Sequence, residues 1–157
     1  MIKVLHAEVP LLTPTGKTMA PIKITYDDNE DISDPKSEII LLYDGIEYRG
    51  NGLDYLWTDT LADLQIKLPK DVKLVCCMTC RYGNMCPYGN VENQFFCTKD
   101  LRISSKEDMC ILFDQTDPYE ERVVASLDYC DDFLYQSDEC YTYSDYLYQL
   151  RKKQPIE

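Results

Sequence analysis

The sequence has few of the residues and motifs from which common active sites are built. It contains one histidine, His6, and six glycines among 157 residues. Any Cys–His or Ser–His catalytic pair would have to use His6, whose apolar neighbours are more typical of a strand near the core. The sequence has no G-x-G-x-x-G, G-x-x-x-x-G-K-[ST] or H-E-x-x-H motif, so it lacks the usual signatures of most large enzyme classes.

Long apolar runs and an excess of basic charge are also missing. No apolar run approaches the ~18 residues of a membrane span, and the first residues lack the features of a signal peptide, so we expect a cytoplasmic protein that does not bind membranes. The 28 acidic residues outnumber the 16 basic ones, giving a net charge of −12 at pH 7. This charge repels phosphate backbones, which argues against direct nucleic-acid binding and favours a basic partner, or solubility alone.

Residue periodicity predicts a single α+β domain over 1–157, with a mainly antiparallel sheet and two or three packed helices. The strongest local signal is Asp44-Gly45 between two β-prone runs, because a type I′ hairpin turn needs positive φ at both central positions. Alternating apolar residues predict the other strands, and apolar residues at helical spacing predict the helices. These other elements are strands at 2–9, 20–26, 72–78, 94–97 and 123–129, an amphipathic helix from Leu53 to Leu68 that includes Trp57, and helices that begin near Ser105 and Ser144.

Cysteine is abundant, and its spacing carries the clearest chemical signal. We expect the eight cysteines to be mostly reduced in a cytosolic protein. A C-x2-C pair puts two thiolates on one tight turn, each about 2.3 Å from a common zinc ion. The turn residues that follow would let the chain curl back with two more thiolates and close a structural zinc site. The predicted ligands, in the cysteine-rich turn 76–97, are Cys77, Cys80, Cys86 and Cys97, spaced C-x2-C-x5-C-x10-C.

Three alternatives stay open for these thiols. The first is a set of reduced side chains with no metal, and the second is an iron–sulfur cluster. The third is a thioredoxin-like redox pair, which would need its second cysteine at a helix N-terminus, whereas Arg81 to Asn84 are not typical of a helix start. The remaining cysteines are interpreted as packing residues or isolated thiols, and these are Cys76, Cys110, Cys130 and Cys140.

The residues around this turn resemble a poorly characterised bacterial family. Its pattern is a strand, C-x2-C, [RK]-Y, then P-x-G and a returning cysteine. The run from Val75 to Gly83, the run from Pro87 to Asn90, and Phe96-Cys97 are similar to this pattern. Such families resemble small cytosolic immunity proteins that lie beside secreted toxins, which implies an inhibitor of a toxin. In that family the position of Cys86 is often not cysteine, which leaves the other three predicted ligands as a set.

The C-terminal part, residues 115–150, combines acidic residues with tyrosines. Between positions 115 and 148 it has nine Asp and Glu, seven Tyr and one basic residue, Arg122. Tyrosine gives a large, rigid contact and is enriched at binding surfaces, while carboxylates pair with a basic partner and speed the encounter. The candidate partner-binding residues are Asp128, Asp131, Asp132, Tyr135, Asp138, Glu139, Tyr141 and Tyr143.

These features favour a non-catalytic binding protein of the immunity type. It would inhibit a basic protein, such as a toxin nuclease, through its acidic, tyrosine-rich surface, and its one suggested cofactor is structural zinc. A solvated acidic face with tyrosines at the rim of the core is the simpler interpretation of the same residues. Two other functions are kept as alternatives: a metal- or thiol-dependent enzyme that uses the cysteine cluster, and an acidic mimic of nucleic acid.

Overall fold

The described part of the chain folds into two antiparallel sheets and three α-helices. The structure, a computed structural model, describes residues 1–27, 36–52, 58–88, 94–115 and 120–154. It confirms the predicted α+β class with mainly antiparallel strands. In chain order the elements are β1 (Ile2–Thr13), β2 (Gly16–Asp27), β3 (Ser37–Tyr43), β4 (Ile46–Gly52), α1 (Thr58–Lys67), β5 (Lys73–Leu74), β6 (Gly83–Asn84), β7 (Gln94–Cys97), α2 (Lys106–Asp114), a 3₁₀ turn (Glu120–Arg122), β8 (Val123–Ala125) and α3 (Tyr146–Lys153).

The larger sheet has five strands in the order β4–β3–β2–β1–β5. Strands β3 and β4 form a hairpin in which Tyr43 lies opposite Ile46. The hairpin turns at Asp44 and Gly45, whose φ angles are 53° and 76°. Positive φ at both central positions is what a type I′ turn requires, so the predicted hairpin is confirmed.

Strands β1 and β2 are longer than predicted, and each contains a proline. The prediction left residues 10–19 out of the strands, but both strands continue through them to a two-residue turn. The Pro10 carbonyl accepts a hydrogen bond from the Val75 N–H, 3.0 Å away, so the polar groups at this position face away from β2. Pro21 lies opposite Glu8, which is two residues before Pro10 in β1. Because backbone polar groups point to alternate sides along a strand, those of Glu8 also face away from β2, and those of Pro21 face away from β1. Neither proline removes a hydrogen bond between β1 and β2, which explains why both are tolerated.

Helix α1 packs on β3, β4 and α3 and completes the main core. Its Leu61 and Leu64 side chains are fully buried, as their helical spacing predicts. Residues 53–57, which include the predicted start of this helix, lie outside the described residues. The buried residues of the core are Val9, Leu11, Ala20, Ile22, Ile24, Ile39, Leu41, Leu61, Ala62, Leu64, Leu68, Val72, Leu74, Cys76, Met78, Phe95 and Tyr146.

Two predicted strands are much shorter in the structure. Of the predicted strand at 72–78 only β5 is formed, and of the predicted strand at 123–129 only β8 is formed. The residues that follow each short strand bond to one another instead. The Met78 N–H donates to the Ser126 carbonyl at 3.0 Å, and the Cys77 N–H donates to the Asp128 carbonyl at 2.6 Å. These long-range bonds use backbone groups that a longer strand would have needed.

The remaining predicted elements are confirmed. The smaller sheet has the order β6–β7–β8, and β7 is the strand expected at 94–97. Helix α2 starts with a reciprocal cap, in which the Ser105 hydroxyl accepts from the Asp108 N–H and the Asp108 carboxylate accepts from the Ser104 N–H. The Ser144 hydroxyl accepts from the Tyr146 N–H at the start of α3. Among the described residues, no helix is long and apolar enough to cross a membrane.

The contact between β4 and α1 depends on a residue without a side chain. A Cβ atom at Gly50 would lie 2.7 Å from both the Leu64 nitrogen and the Leu64 Cβ. We therefore expect Gly50→Ala to lower the free energy of unfolding by about 1–3 kcal/mol through overpacking, measured by urea denaturation. The matched control is Asn51→Ala, whose exposed side chain should change stability by less than about 0.5 kcal/mol. Equal stability of the two variants would contradict the close packing.

Candidate functional site

The cysteine turn, defined as residues 76–83, is a tight, hydrogen-bonded loop. The Cys80 N–H donates to the Cys77 carbonyl at 3.3 Å, and the Gly83 N–H donates to the Cys80 carbonyl at 3.0 Å. A Cβ atom at Gly83 would collide with the Cys77 carbonyl, so only glycine fits there. Each cysteine of the C-x2-C pair is therefore followed by a closed turn.

A second segment, residues 126–143, wraps around the cysteine turn. The two segments are joined by backbone hydrogen bonds, and buried backbone groups need such partners because they have left water. Each segment therefore supplies hydrogen-bond partners for backbone groups of the other. The donor–acceptor pairs are Cys77 to Asp128 (2.6 Å), Met78 to Ser126 (3.0 Å), Arg81 to Leu134 (2.7 Å), Met85 to Tyr143 (2.7 Å) and Gln136 to Thr79 (3.2 Å).

Gln136 adds a buried side-chain link to this backbone contact. Its side-chain Nε2 donates to the Met78 carbonyl at 3.0 Å and to the Cys80 carbonyl at 3.3 Å. The preceding residue, Tyr135, forms an isolated β-bridge with Cys80. The amide of Gln136 thus uses both of its N–H donors on the turn.

Three of the four predicted ligands lie in the same region of the fold. Cys77 and Cys80 share the turn, and Cys97 in β7 lies opposite Gly83 in β6. The three thiols are close enough that a charge on one raises the pKa of another. Cys86 lies three residues beyond Gly83, about 10 Å further along an extended chain.

Cys130 is an exposed thiol in the same region of the fold as the cysteine turn. It was interpreted as a packing residue or an isolated thiol, but it lies near Cys80, whose pKa it influences. It also lies near Lys99, which interacts with both Cys97 and Cys130. Its nearest cysteine in the sequence is ten residues away, so spacing gave no reason to group it with the others.

Burial changes the acidity of the thiols in the turn. It raises the pKa of Cys76 to about 11 and also raises the pKa of Cys77 and Cys80. The nearby backbone of Leu134 and of Tyr82 offsets part of this rise in the pKa of Cys80. Such thiols are protonated at neutral pH, which makes them poor nucleophiles.

The metal prediction is not tested by this arrangement. Within the described ranges, no three His, Cys, Asp or Glu side chains are set around one point as a group of metal ligands. The zinc site at Cys77, Cys80, Cys86 and Cys97 therefore stays a prediction.

The other residues with reactive side chains lie apart from one another. His6 is exposed on β1, so the expectation that it lies near the core was wrong. Cys76 is buried in the main core, as interpreted from the sequence. Cys110 is half-buried on α2, and Cys140 is exposed, with the Arg81 guanidinium 3.3 Å from its sulfur.

Two of the candidate acidic residues form ion pairs within the chain. Asp132 pairs with Lys99 at 3.0 Å, and Asp138 pairs with Arg151 at 2.7 Å. All four side chains are largely exposed, at 48% or more of their full accessible area. Ion pairs this exposed contribute little to stability, so a partner's cations can compete for these carboxylates.

The other candidate acids are exposed without an ion pair. The Asp128 carboxylate accepts a hydrogen bond from the Ala125 N–H at 2.8 Å and closes its own turn. Asp131 and Glu139 are exposed, and their carboxylates have no ion pair within the part of the chain that the structure describes. Within the described residues, these two carboxylates have neither an ion pair nor a hydrogen bond, whereas Asp128 accepts one from the backbone.

The candidate tyrosines are only partly available at the surface. The Tyr135 hydroxyl is buried with no hydrogen-bond partner among the described residues, and Lys73 lies 5.3 Å from its ring centre. The Tyr143 ring is contacted by Lys106 in the same way, at 5.6 Å. Tyr141 is 37% exposed and is the most accessible of the three. The predicted aromatic surface is therefore smaller than the tyrosine count indicates.

An open cleft of about 690 Å³ lies between the end of α1, helix α3 and Tyr135. This is the size of many small-molecule sites. Its lining is mostly apolar and includes Leu68, Leu147 and Leu150. Its described lining residues include Lys70, Lys73, Tyr135 and Tyr146, but no Asp, Glu, His or Cys.

Comparison with known proteins found no matching family model, no matching curated protein and no matching solved structure. The function must therefore be argued from the residues themselves.

The raised pKa of Cys76 predicts how it reacts with alkylating reagents. At pH 8 a thiol with a pKa of about 11 is a thiolate in only about one molecule in a thousand. Iodoacetamide should therefore label exposed Cys140 long before buried Cys76, as followed by peptide mass spectrometry of the native protein. The labelling of Cys76 should increase as the pH rises toward 11. Equal labelling rates at pH 8 would contradict this environment for Cys76.

Gln136 provides a test of the link between the two segments. We expect Gln136→Leu to lower the free energy of unfolding by about 1–3 kcal/mol, because the Met78 and Cys80 carbonyls lose a buried donor. Urea denaturation measures the change. Gln154→Leu is the matched control, because this glutamine follows α3 and its side chain is exposed. Its replacement should change the free energy of unfolding by less than about 0.5 kcal/mol. If Gln136→Leu is as stable as the control, this amide does not hold the segments together.

Proposed function

We propose that this chain is a non-catalytic, cytoplasmic binding protein of the immunity type, which inhibits a basic protein partner through the segment 126–143. The observation that carries the proposal is the placement of Asp131 and Glu139. Their exposed carboxylates are presented on loops whose backbone is bonded to the cysteine turn. Loops that are already held in place lose little entropy on binding, so they can contribute more of their interaction energy to affinity.

The surrounding charges support the same proposal. The free carboxylates of this segment would attract the Lys and Arg side chains of a basic partner over several ångströms and speed the encounter. The exposed ion pairs of Asp132 and Asp138 add charges that can exchange partners at small cost. Tyr141 offers an exposed ring beside Cys140 for apolar contact.

An enzyme is less well supported by the structure. A thiol nucleophile needs a lowered pKa, whereas burial raises the pKa of Cys76, Cys77 and Cys80. The large cleft has Lys70, Lys73 and two tyrosines in its mainly apolar lining, but no carboxylate, histidine or thiol among its described residues. A nucleic-acid mimic would need carboxylates spaced like the phosphates of a nucleic acid, whereas an inhibitor of a basic protein needs only exposed negative charge on a held loop.

The proposal is tested with the protein whose gene lies beside the gene for this chain. If that protein is a toxin, coexpression of the wild-type chain should restore growth. Calorimetry should show a complex that weakens as salt rises, because screening reduces attraction between exposed charges. The double variant Asp131→Lys/Glu139→Lys should bind on the order of tenfold more weakly or worse, since tenfold corresponds to only about 1.4 kcal/mol.

The control is a charge change of the same size elsewhere. Glu8→Lys/Glu47→Lys reverses two exposed acids on the large sheet and should leave the dissociation constant close to that of the wild type. If the wild-type chain does not restore growth in the presence of the toxin, the chain is not its immunity protein. Equal loss of affinity in both double variants would show that overall charge, rather than this segment, determines binding.

A further inference from the structure

Four cysteines from three separate segments are brought into the same region of the fold by backbone pairing with the cysteine turn. Cys77 and Cys80 come from the turn itself, and Cys97 is placed by its pairing with Gly83 across the β6–β7 contact. Cys130 comes from the loop 128–134. Cysteines so far apart in the chain are brought together by the fold, which is how structural metal sites join loops that lack a core of their own.

The loop that carries Cys130 is bonded to the cysteine turn at both ends. One end is bonded to Cys77, the first cysteine of the C-x2-C pair, and the other end to Arg81, which follows the second cysteine. Cys130 therefore lies between two backbone contacts with the turn. The backbone bonds run from the Cys77 N–H to the Asp128 carbonyl (2.6 Å) and from the Arg81 N–H to the Leu134 carbonyl (2.7 Å), and between them Asp132 forms an exposed ion pair with Lys99 at 3.0 Å.

From this arrangement we propose that the four thiolates bind a structural Zn²⁺ ion, with Cys130 rather than Cys86 as the fourth ligand. A tetrahedral site places each sulfur about 2.3 Å from the ion and about 3.8 Å from the other sulfurs. The side chains are not already set around one point among the described residues. Each cysteine has three staggered positions about χ1, so the sulfurs can turn toward a common ion while the bonded backbone stays in place.

The surroundings of the thiols suit a bound thiolate group. Zinc displaces the protons of the four thiols, so binding releases four protons and leaves a Zn–S₄ group with a net charge of −2. The backbone of Leu134 and of Tyr82 lies close enough to Cys80 to favour its charged form. The Lys99 ammonium interacts with both Cys97 and Cys130. Such outer contacts orient metal ligands and balance their charge.

Zinc content and affinity test the proposal directly. The protein is purified without chelator, and its zinc is measured by elemental analysis; we expect one ion per chain. After removal of the metal, Co²⁺ titration should give the absorption bands of tetrahedral thiolate coordination. Cys130→Ser should weaken binding by more than about 100-fold, because even the loss of an outer contact costs 10–100-fold. The matched variant Cys86→Ser should bind within about threefold of the wild type.

The outcomes separate the two possible ligand sets. Loss of metal in Cys86→Ser with retention in Cys130→Ser would overturn the proposal in favour of the set predicted from sequence. A wild-type chain that binds neither Zn²⁺ nor Co²⁺ would overturn both.

A second measurement avoids variants that fail to fold. The wild-type protein is treated with an alkylating reagent with and without one equivalent of Zn²⁺, and the labelled peptides are mapped. Zinc should protect Cys77, Cys80, Cys97 and Cys130, while the labelling of Cys86 and Cys110 stays unchanged. Protection of Cys86 together with free labelling of Cys130 would overturn the proposal. Because this measurement needs no partner protein, its result does not depend on whether the proposed function is correct.

Discussion

The mutual pairing of backbone groups between the cysteine turn and segment 126–143 is the constraint on which the rest of the site depends. Neither segment has a regular strand or helix with which to satisfy its buried N–H and C=O groups. A buried group left without a partner costs about 1–3 kcal/mol, so separating the segments would cost several such groups at once. This requirement ends β5 and β8 early, buries the Gln136 amide, and determines where Asp131 and Cys130 are presented.

The features that could be predicted from the sequence are those that depend on near neighbours in the chain. The Asp44-Gly45 turn requires only two residues that tolerate positive φ. The start of α2 requires only Ser105 and a side chain three residues later. The spacing of Leu61 and Leu64 likewise defines one face of a helix, whatever lies opposite. For these elements the local preference and the tertiary contacts agree, so a local pattern was sufficient.

The features that could not be predicted depend on partners far away in the chain. Residues 75–78 have the composition of a strand, but the Cys77 and Met78 N–H groups donate to residues about 50 positions later, and no local pattern encodes such partners. Spacing grouped Cys86 with the C-x2-C pair because it is close in sequence, while backbone hydrogen bonds place the loop of Cys130 beside the same turn. One weak signal was available: Lys99 and Asp132 each stand two residues after a cysteine and carry opposite charges.

The proposed metal and the proposed partner surface would share one loop, so they would influence each other in two physically distinct ways. Zinc would hold the loop that carries Asp131, and losing it would raise the entropic cost of binding. Replacing a Zn–S₄ group of charge −2 by neutral thiols would also make the surface less negative. Salt distinguishes the two effects, because screening weakens the charge term but leaves the cost of ordering a loop nearly unchanged. A metal effect on partner binding that persists at high salt would therefore reflect the order of the loop rather than its charge.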